Sequence, residues 1–430
     1  MSYRTKHLLL MVALFSLLLP LLSSCGPKTA PSSAQQTSVL NNMTPQPHQV
    51  GSYSCQRSVH PASSGIASPS STPRSIYFGD SRGNLYAVNA KTGELRWCIH
   101  LNSPKTVTNP CPGRPCPPSA SFLIIGTLTV VDGVAYVCIS GSSGASSTYA
   151  FTISDGSLRW RTQTECWTNT NSFVSSIGPL VNNGVVYSGL YALHAQDGQV
   201  LWKTHIDPSV EGQVIPLTMV DGVIYANTEG AIFAITTRDG SIRWHYPPNS
   251  NVSLGGPLAI SNQMLFFGTI GSVNQPETSA LYALNTQNGS LRWYKLMGDY
   301  VGTAFLNNVA YVSSRDQYLY ALNMNNGTVL WRHRFIYPTY NPALAMNGAL
   351  YINIDGAYAL RSDNGGILWH KPLGTSQSVD FLPSVVVDGV DYLASNDGRG
   401  NSILYALRAT DGAEYWHSAN IPQISPLTVA

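Results

Sequence analysis

The stretch Tyr86-Ala87-Val88-Asn89-Ala90-Lys91-Thr92-Gly93-Glu94-Leu95-Arg96-Trp97 decides how this chain folds, because its pattern returns seven more times. Reduced to an aromatic, Ala, five residues, Gly, three residues and Trp, it recurs at Tyr149–Trp160, Tyr191–Trp202, Phe233–Trp244, Tyr282–Trp293, Tyr320–Trp331, Tyr358–Trp369 and Tyr405–Trp416 without insertion or deletion. Eight of the nine Trp residues are used; Trp167 alone lies outside, in the connection after the second copy, and is a candidate loop plug or surface contact. A fixed phrase returning every 38 to 63 residues defines a repeat architecture.

Each phrase reads as a β-hairpin. Two short alternating, β-prone runs flank Asp-Gly or Asn-Gly in seven copies and Thr92-Gly93 in the first, and the Gly supplies the positive φ that a tight turn needs. Upstream of most phrases lies a second strand pair, as in 126–138, 216–228 and 342–354, so each unit holds four antiparallel strands, A to D. The expected fold is an all-β, eight-bladed β-propeller. Strand A often starts at proline (Pro179, Pro216, Pro257, Pro342, Pro383), which suits an edge strand lining the channel. The last residues, 425–430, look like a strand A with no strand B after them, whereas 75–79 looks like a strand B with no strand A before it. The C-terminal strand should therefore complete the first blade and close the ring by hydrogen bonds, leaving no open sheet edge.

The phrase resembles the tryptophan-docking motif of the pyrroloquinoline quinone (PQQ)-type, or quinoprotein alcohol dehydrogenase-like, propellers; residues 87–97 carry it most closely. That superfamily includes quinoprotein dehydrogenases and the lipoprotein that helps assemble outer-membrane β-barrels. The resemblance covers roughly 73–430 and implies that Trp97, Trp160, Trp202, Trp244, Trp293, Trp331, Trp369 and Trp416 dock between blades, against the Ala and Gly of a neighbouring repeat. Burial of an indole is worth roughly 4–6 kcal/mol as an upper bound, so eight docked indoles suffice to hold a ring without a ligand.

The N-terminus reads as an exported lipoprotein's. Arg4 and Lys6 precede an apolar run over 7–22, too short for a retained span, and Leu22-Ser23-Ser24-Cys25 resembles a lipobox. Lipidation at Cys25 would anchor the protein to the outer face of the cell membrane or to the outer membrane. The domain expectation is thus signal peptide 1–25, Ser/Pro/Thr-rich tether 26–72 and propeller 73–430, the tether spanning on the order of 35–40 Å with its later half pinned through Cys55. Removing 1–25 leaves 22 basic and 22 acidic residues, because Arg4 and Lys6 go and no acid does, so no nucleic-acid footprint is expected. Cys55, Cys98, Cys111, Cys116, Cys138 and Cys166 remain, an even set able to form three disulfides in any of 15 pairings, with zinc the competing reading.

The sequence carries few signatures of catalytic chemistry. The quinoprotein enzymes would imply an adjacent Cys pair, a Trp platform, Ca²⁺ and a catalytic Asp; no Cys-Cys pair and no C-x-x-C-H haem site occurs. The acids Asp80, Asp316, Asp355 and Asp397 fall in B–C loops, one per blade, as repeated turns require. No G-x-S-x-G, H-E-x-x-H or P-loop is present. The expectation is a monomeric, non-catalytic scaffold binding envelope proteins or an extracellular ligand, with no catalytic residue, metal or cofactor assigned and PQQ with Ca²⁺ as the alternative. Segments that break the repeat (98–125, 161–177, 268–279) are the places to look for function.

Overall fold

The computed structural model describes residues 47–51, 53, 55, 74–101, 123–141, 146–166, 178–206, 215–227, 231–246, 253–270, 279–339, 341–373, 380–397 and 400–430. Cys25, Cys111, Cys116 and Trp167 lie outside them, as do most of the three repeat-breaking segments. Among the described residues no helix is long and apolar enough to cross a membrane.

Eight antiparallel sheets follow one another, each built on the same A-B-C-D order. Blade 4 is representative: Ile215–Val220, Val223–Asn227, Ile232–Thr236 and Ile242–Tyr246 run from A to D. Two kinds of turn alternate along the chain. The A–B turns are two-residue hairpins with both residues at positive φ, as at Asp132-Gly133, Asn183-Gly184, Asp221-Gly222, Asn347-Gly348 and Asp388-Gly389, which is the type I′ geometry that matches strand twist. The C–D turns are wider than the tight hairpin expected from sequence. In blade 5 only Gly289 has positive φ, its N–H donates to the carbonyl of Asn285, and Asn288 Oδ1 accepts from the N–H of Ser290. The Asn or Asp before the Gly thus acts through its side chain, as a local cap, rather than through its own φ. Prolines in strand A sit where pairing is interrupted: the register shifts at Pro216–Thr218 and again between Gly255 and Ala259, around Pro257.

The ring closes as the two chain ends suggested. Thr428–Val429 pairs antiparallel with Ser75–Gly79 (Tyr77 opposite Thr428, Ile76 opposite Val429), completing a four-stranded blade 1. Ser75 and Ala430 exchange backbone hydrogen bonds of 2.8 and 3.0 Å. Within the stretch read as a tether, His48–Val50 adds a strand parallel to Glu414–Ser418 on the outside of blade 8. Tyr53 is buried beside Phe78 and Tyr86 of blade 1 and donates to the carbonyl of Gly93, and Cys55 is bridged to Cys98. The chain entering the propeller therefore spans the same blade 8–blade 1 seam that the C-terminal strand closes from inside. A second bridge, Cys138–Cys166, lies within blade 2.

Candidate functional site

The repeated phrase builds the blade interfaces. Every docking indole donates its Nε1–H to one carbonyl of the next blade, always that of the fifth residue of the next phrase. The series runs Trp97 to Ile153 (2.8 Å), Trp160 to Ala195 (2.9 Å), Trp202 to Thr237 (3.1 Å) and Trp244 to Thr286 (3.0 Å). It continues from Trp293 to Met324 (2.9 Å), Trp331 to Ser362 (3.1 Å) and Trp369 to Ala409 (2.9 Å), and Trp416 returns to Ala90 (3.2 Å). The eight bonds form a closed circuit. The phrase Gly lies beneath the preceding blade's indole: a Cβ at Gly289 would stand 2.7 Å from Cε3 of Trp244, and the other seven make the same approach.

The Ala has a different place from the one the resemblance implied. Ala87 is the register partner of Trp97 in its own blade and of Tyr77 on the other side, so it separates two rings across three strands. The same aromatic–Ala–Trp row recurs in all eight blades, from Tyr136–Ala150–Trp160 to Tyr392–Ala406–Trp416, with ring centroids 5.8–6.4 Å apart. A side chain larger than methyl would stand between those rings. The Gly, and not the Ala, comes from the neighbouring repeat. The strand-B aromatic was missed in sequence, although Tyr in "GVAYV", "GVIYA" and "GALYI" returns just as regularly. In four blades its hydroxyl reaches the carbonyl that also takes the indole, as Tyr311 does to Ser362 O (2.9 Å) and Tyr225 to Thr286 O (3.1 Å).

The B–C loop acids are engaged inside their own blades. Asp80, buried, accepts from the N–H groups of Arg82 and Asn84, from Asn84 Nδ2 and from the Tyr86 hydroxyl. Asp316 accepts from the N–H of Tyr318 and the hydroxyl of Tyr320; Asp355 accepts from the hydroxyl of Tyr358; Asp397 accepts from Asn401. In three blades the phrase aromatic is thus the partner of the loop acid. Burial, together with the adjacent Asp316 carboxylate, pushes the Tyr320 hydroxyl well above the ordinary tyrosine range, so it remains a donor. Ion pairs cluster on the outside: Lys371 and His417 both reach Glu414, and the two together outweigh desolvation and hold its carboxyl below the ordinary range.

One acid departs from this pattern. Asp391, on strand B of blade 8, is fully buried opposite Val386 and Leu407, and neither carboxylate oxygen has a hydrogen-bond partner. The hydroxyl of nearby Ser384 is already engaged with Asn353. Burial pushes the Asp391 carboxyl up to about 7, against the smaller opposing influence of Ser384. The corresponding position holds Ile76, Ala135, Val186, Ile224, Leu265, Ala310 and Leu350 in the other blades.

The family model described as "Outer membrane protein assembly factor BamB" matches residues 52–163, 125–254 and 248–380, well over half of the chain. The chain belongs to this family. BamB of Yersinia pestis is 26% identical over 178 residues, which is 40% of this chain and only 40% of that relative's own length. Among solved structures, BamB from Moraxella catarrhalis matches with a TM-score of 0.51 at 15% identity, covering 77% of this chain and 91% of that one. The quinohemoprotein alcohol dehydrogenase ADHIIG from Pseudomonas putida HK5 matches with a TM-score of 0.51 at 15% identity, covering 70% of this chain and 68% of that one. At these identities the two structures show a shared propeller fold. Among the described residues no three His, Cys, Asp or Glu side chains come together as a group that could hold a metal ion.

Proposed function

We propose that this family member is a lipid-anchored envelope protein, lipidated at Cys25, whose propeller binds other envelope proteins without catalysing a reaction. The observation that carries the reading is the use of the B–C loop acids: each is consumed by a turn or tyrosine of its own blade, so the polar groups build a rigid ring. Family membership supports it, since the relatives are described as assembly factors for outer-membrane proteins. The repeat-breaking segments 98–125, 161–177 and 268–279 are the proposed contact elements for such partners.

Photo-crosslinkers placed in these three segments and irradiated in intact cells test the reading. Discrete protein adducts that vanish when the label is moved to a C–D turn are expected. Stoichiometric uptake of PQQ with Ca²⁺ by purified protein, read as cofactor absorbance, would overturn it in favour of a dehydrogenase.

A further inference from the structure

The outer strands carry a surface that the repeat itself does not need. Among the described residues each D strand ends its sheet, except in blade 8, where His48–Val50 lies parallel along Trp416–Ser418 and Ala419 donates to the carbonyl of Val50. Along that covered edge Trp416 is fully buried and Glu414 and Tyr415 before it are largely covered, while Trp97, Trp160 and Trp369 are buried at edges that carry no such strand. Around blades 3 to 6 the docking residues Trp202, Trp244, Trp293 and Trp331 are only partly covered. Blade 5 is the extreme case. Its D strand, Leu291–Leu296, exposes Leu291, Tyr294 and Leu296 at 44%, 58% and 61%.

Charge separates the covered edge of blade 8 from the D strands of the other seven blades. The D strands of blades 3 to 6 hold Lys203, Arg243, Arg292, Lys295, Arg332 and Arg334 and not one acid, and those of blades 1, 2 and 7 likewise carry Arg96, Arg159, Arg161 and Lys371 without an acid; only the covered D strand of blade 8 has one, Glu414. Lys203 pairs with Glu165 and Arg334 bonds Gln317, but Arg292 and Lys295 form no ion pair among the described residues. Cations on an edge strand discourage self-pairing, yet three large exposed apolar side chains on six residues work against that purpose.

We propose that the outer edge of blade 5, Leu291–Leu296, accepts an extended segment of another polypeptide as a fifth, parallel strand, in the way blade 8 takes His48–Val50. The complementary segment alternates apolar residues, which cover Tyr294 and Leu296, with acids that meet Arg292 and Lys295. Main-chain hydrogen bonds give such a contact its affinity, and the side-chain alternation gives its specificity. The inference rests on the scaffold reading and deepens it by naming the element and the chemistry of the partner.

The test uses the full chain with a decapeptide alternating valine and glutamate, a valine–lysine decapeptide and phosphatidylglycerol vesicles as probes. The glutamate peptide should bind and slow amide hydrogen exchange across Leu291–Leu296. Arg292→Glu combined with Lys295→Glu should weaken that binding at least tenfold and transfer preference to the lysine peptide, and Leu296→Glu should weaken both peptides. An unchanged unfolding midpoint in each variant excludes misfolding. Absence of protection at this edge, or binding indifferent to charge reversal, overturns the proposal. Vesicle binding lost on charge reversal without any peptide binding also overturns it, in favour of a lipid surface. If the edge fails while the crosslinked segments still capture partners in cells, the scaffold reading stands alone; failure of both ends it.

Discussion

At the residue scale, the phrase holds three demands that meet at one indole. Trp293 rests on Phe266 of its own blade and on Gly327 of the next, and donates to Met324. Trp293→Ala should cost about 3–5 kcal/mol in denaturant unfolding; a loss below about 1 kcal/mol would mean that this indole contributes no docking. Gly289→Ala should be destabilising by roughly 1–3 kcal/mol, because Ala disfavours φ of +70° and its methyl meets Trp244. Asp391 makes the opposite prediction. Its folded-state pKa, about 7, lies above the unfolded carboxylate value, so the folded state binds the extra proton. Stability is then full below the unfolded value, near pH 4, and falls as pH rises toward 7, by roughly 3–5 kcal/mol. Asp391→Asn should raise the neutral-pH midpoint and flatten that slope, measured by thermal unfolding from pH 4 to 8. Trp, Gly and the turn Asn or Asp were legible in the sequence because each has a unique physical requirement at a fixed spacing. Asp391 was not, since one polar residue in a strand reads as outward-facing until the neighbouring blade covers it.

At the scale of elements, the blades read well and their supports less so. Strand count, turn positions and the split first blade followed from patterning, because alternation and Asn-Gly or Asp-Gly pairs are local signals. The strand His48–Val50 was hidden: three residues in a Ser-, Pro- and Gln-rich stretch carry no periodicity, and pairing with blade 8 is a contact across more than 360 residues. The Cys55–Cys98 bridge, 43 residues apart, ties this strand's extension to blade 1. Replacing both cysteines with Ser should lower stability by roughly 3–4 kcal/mol through loop-closure entropy. It should also expose the blade 8 edge, read as faster amide exchange at Trp416–Ser418. A variant that loses stability without faster exchange there would show that Cys55 clamps blade 1 alone.

At the scale of the whole molecule, eight indole–carbonyl bonds make a circuit, and the circuit meets only at Trp416 and Ala90. Deleting 425–430 removes the partner of Ser75–Gly79 and opens a sheet edge at the seam, so it should produce self-association measurable by light scattering, whereas trimming residues before 47 should not. Sequence made the ring legible and left its ligands obscure for one reason. The ring is specified by repetition, while a binding surface on a repeat protein is specified by whatever departs from it, and single departures have no period to reveal them.

The split first blade also sets an order of events. A chain made from its N-terminus presents Ser75–Gly79 early, and the strand that completes it, Thr428–Val429, comes more than 340 residues later. Blade 1 is the first to emerge and the last to be finished. Until Val429 arrives, seven blades can assemble pairwise while the first waits with one side open. A stalled or C-terminally clipped chain would carry nearly all of its mass folded and still be marked, at one edge, as incomplete.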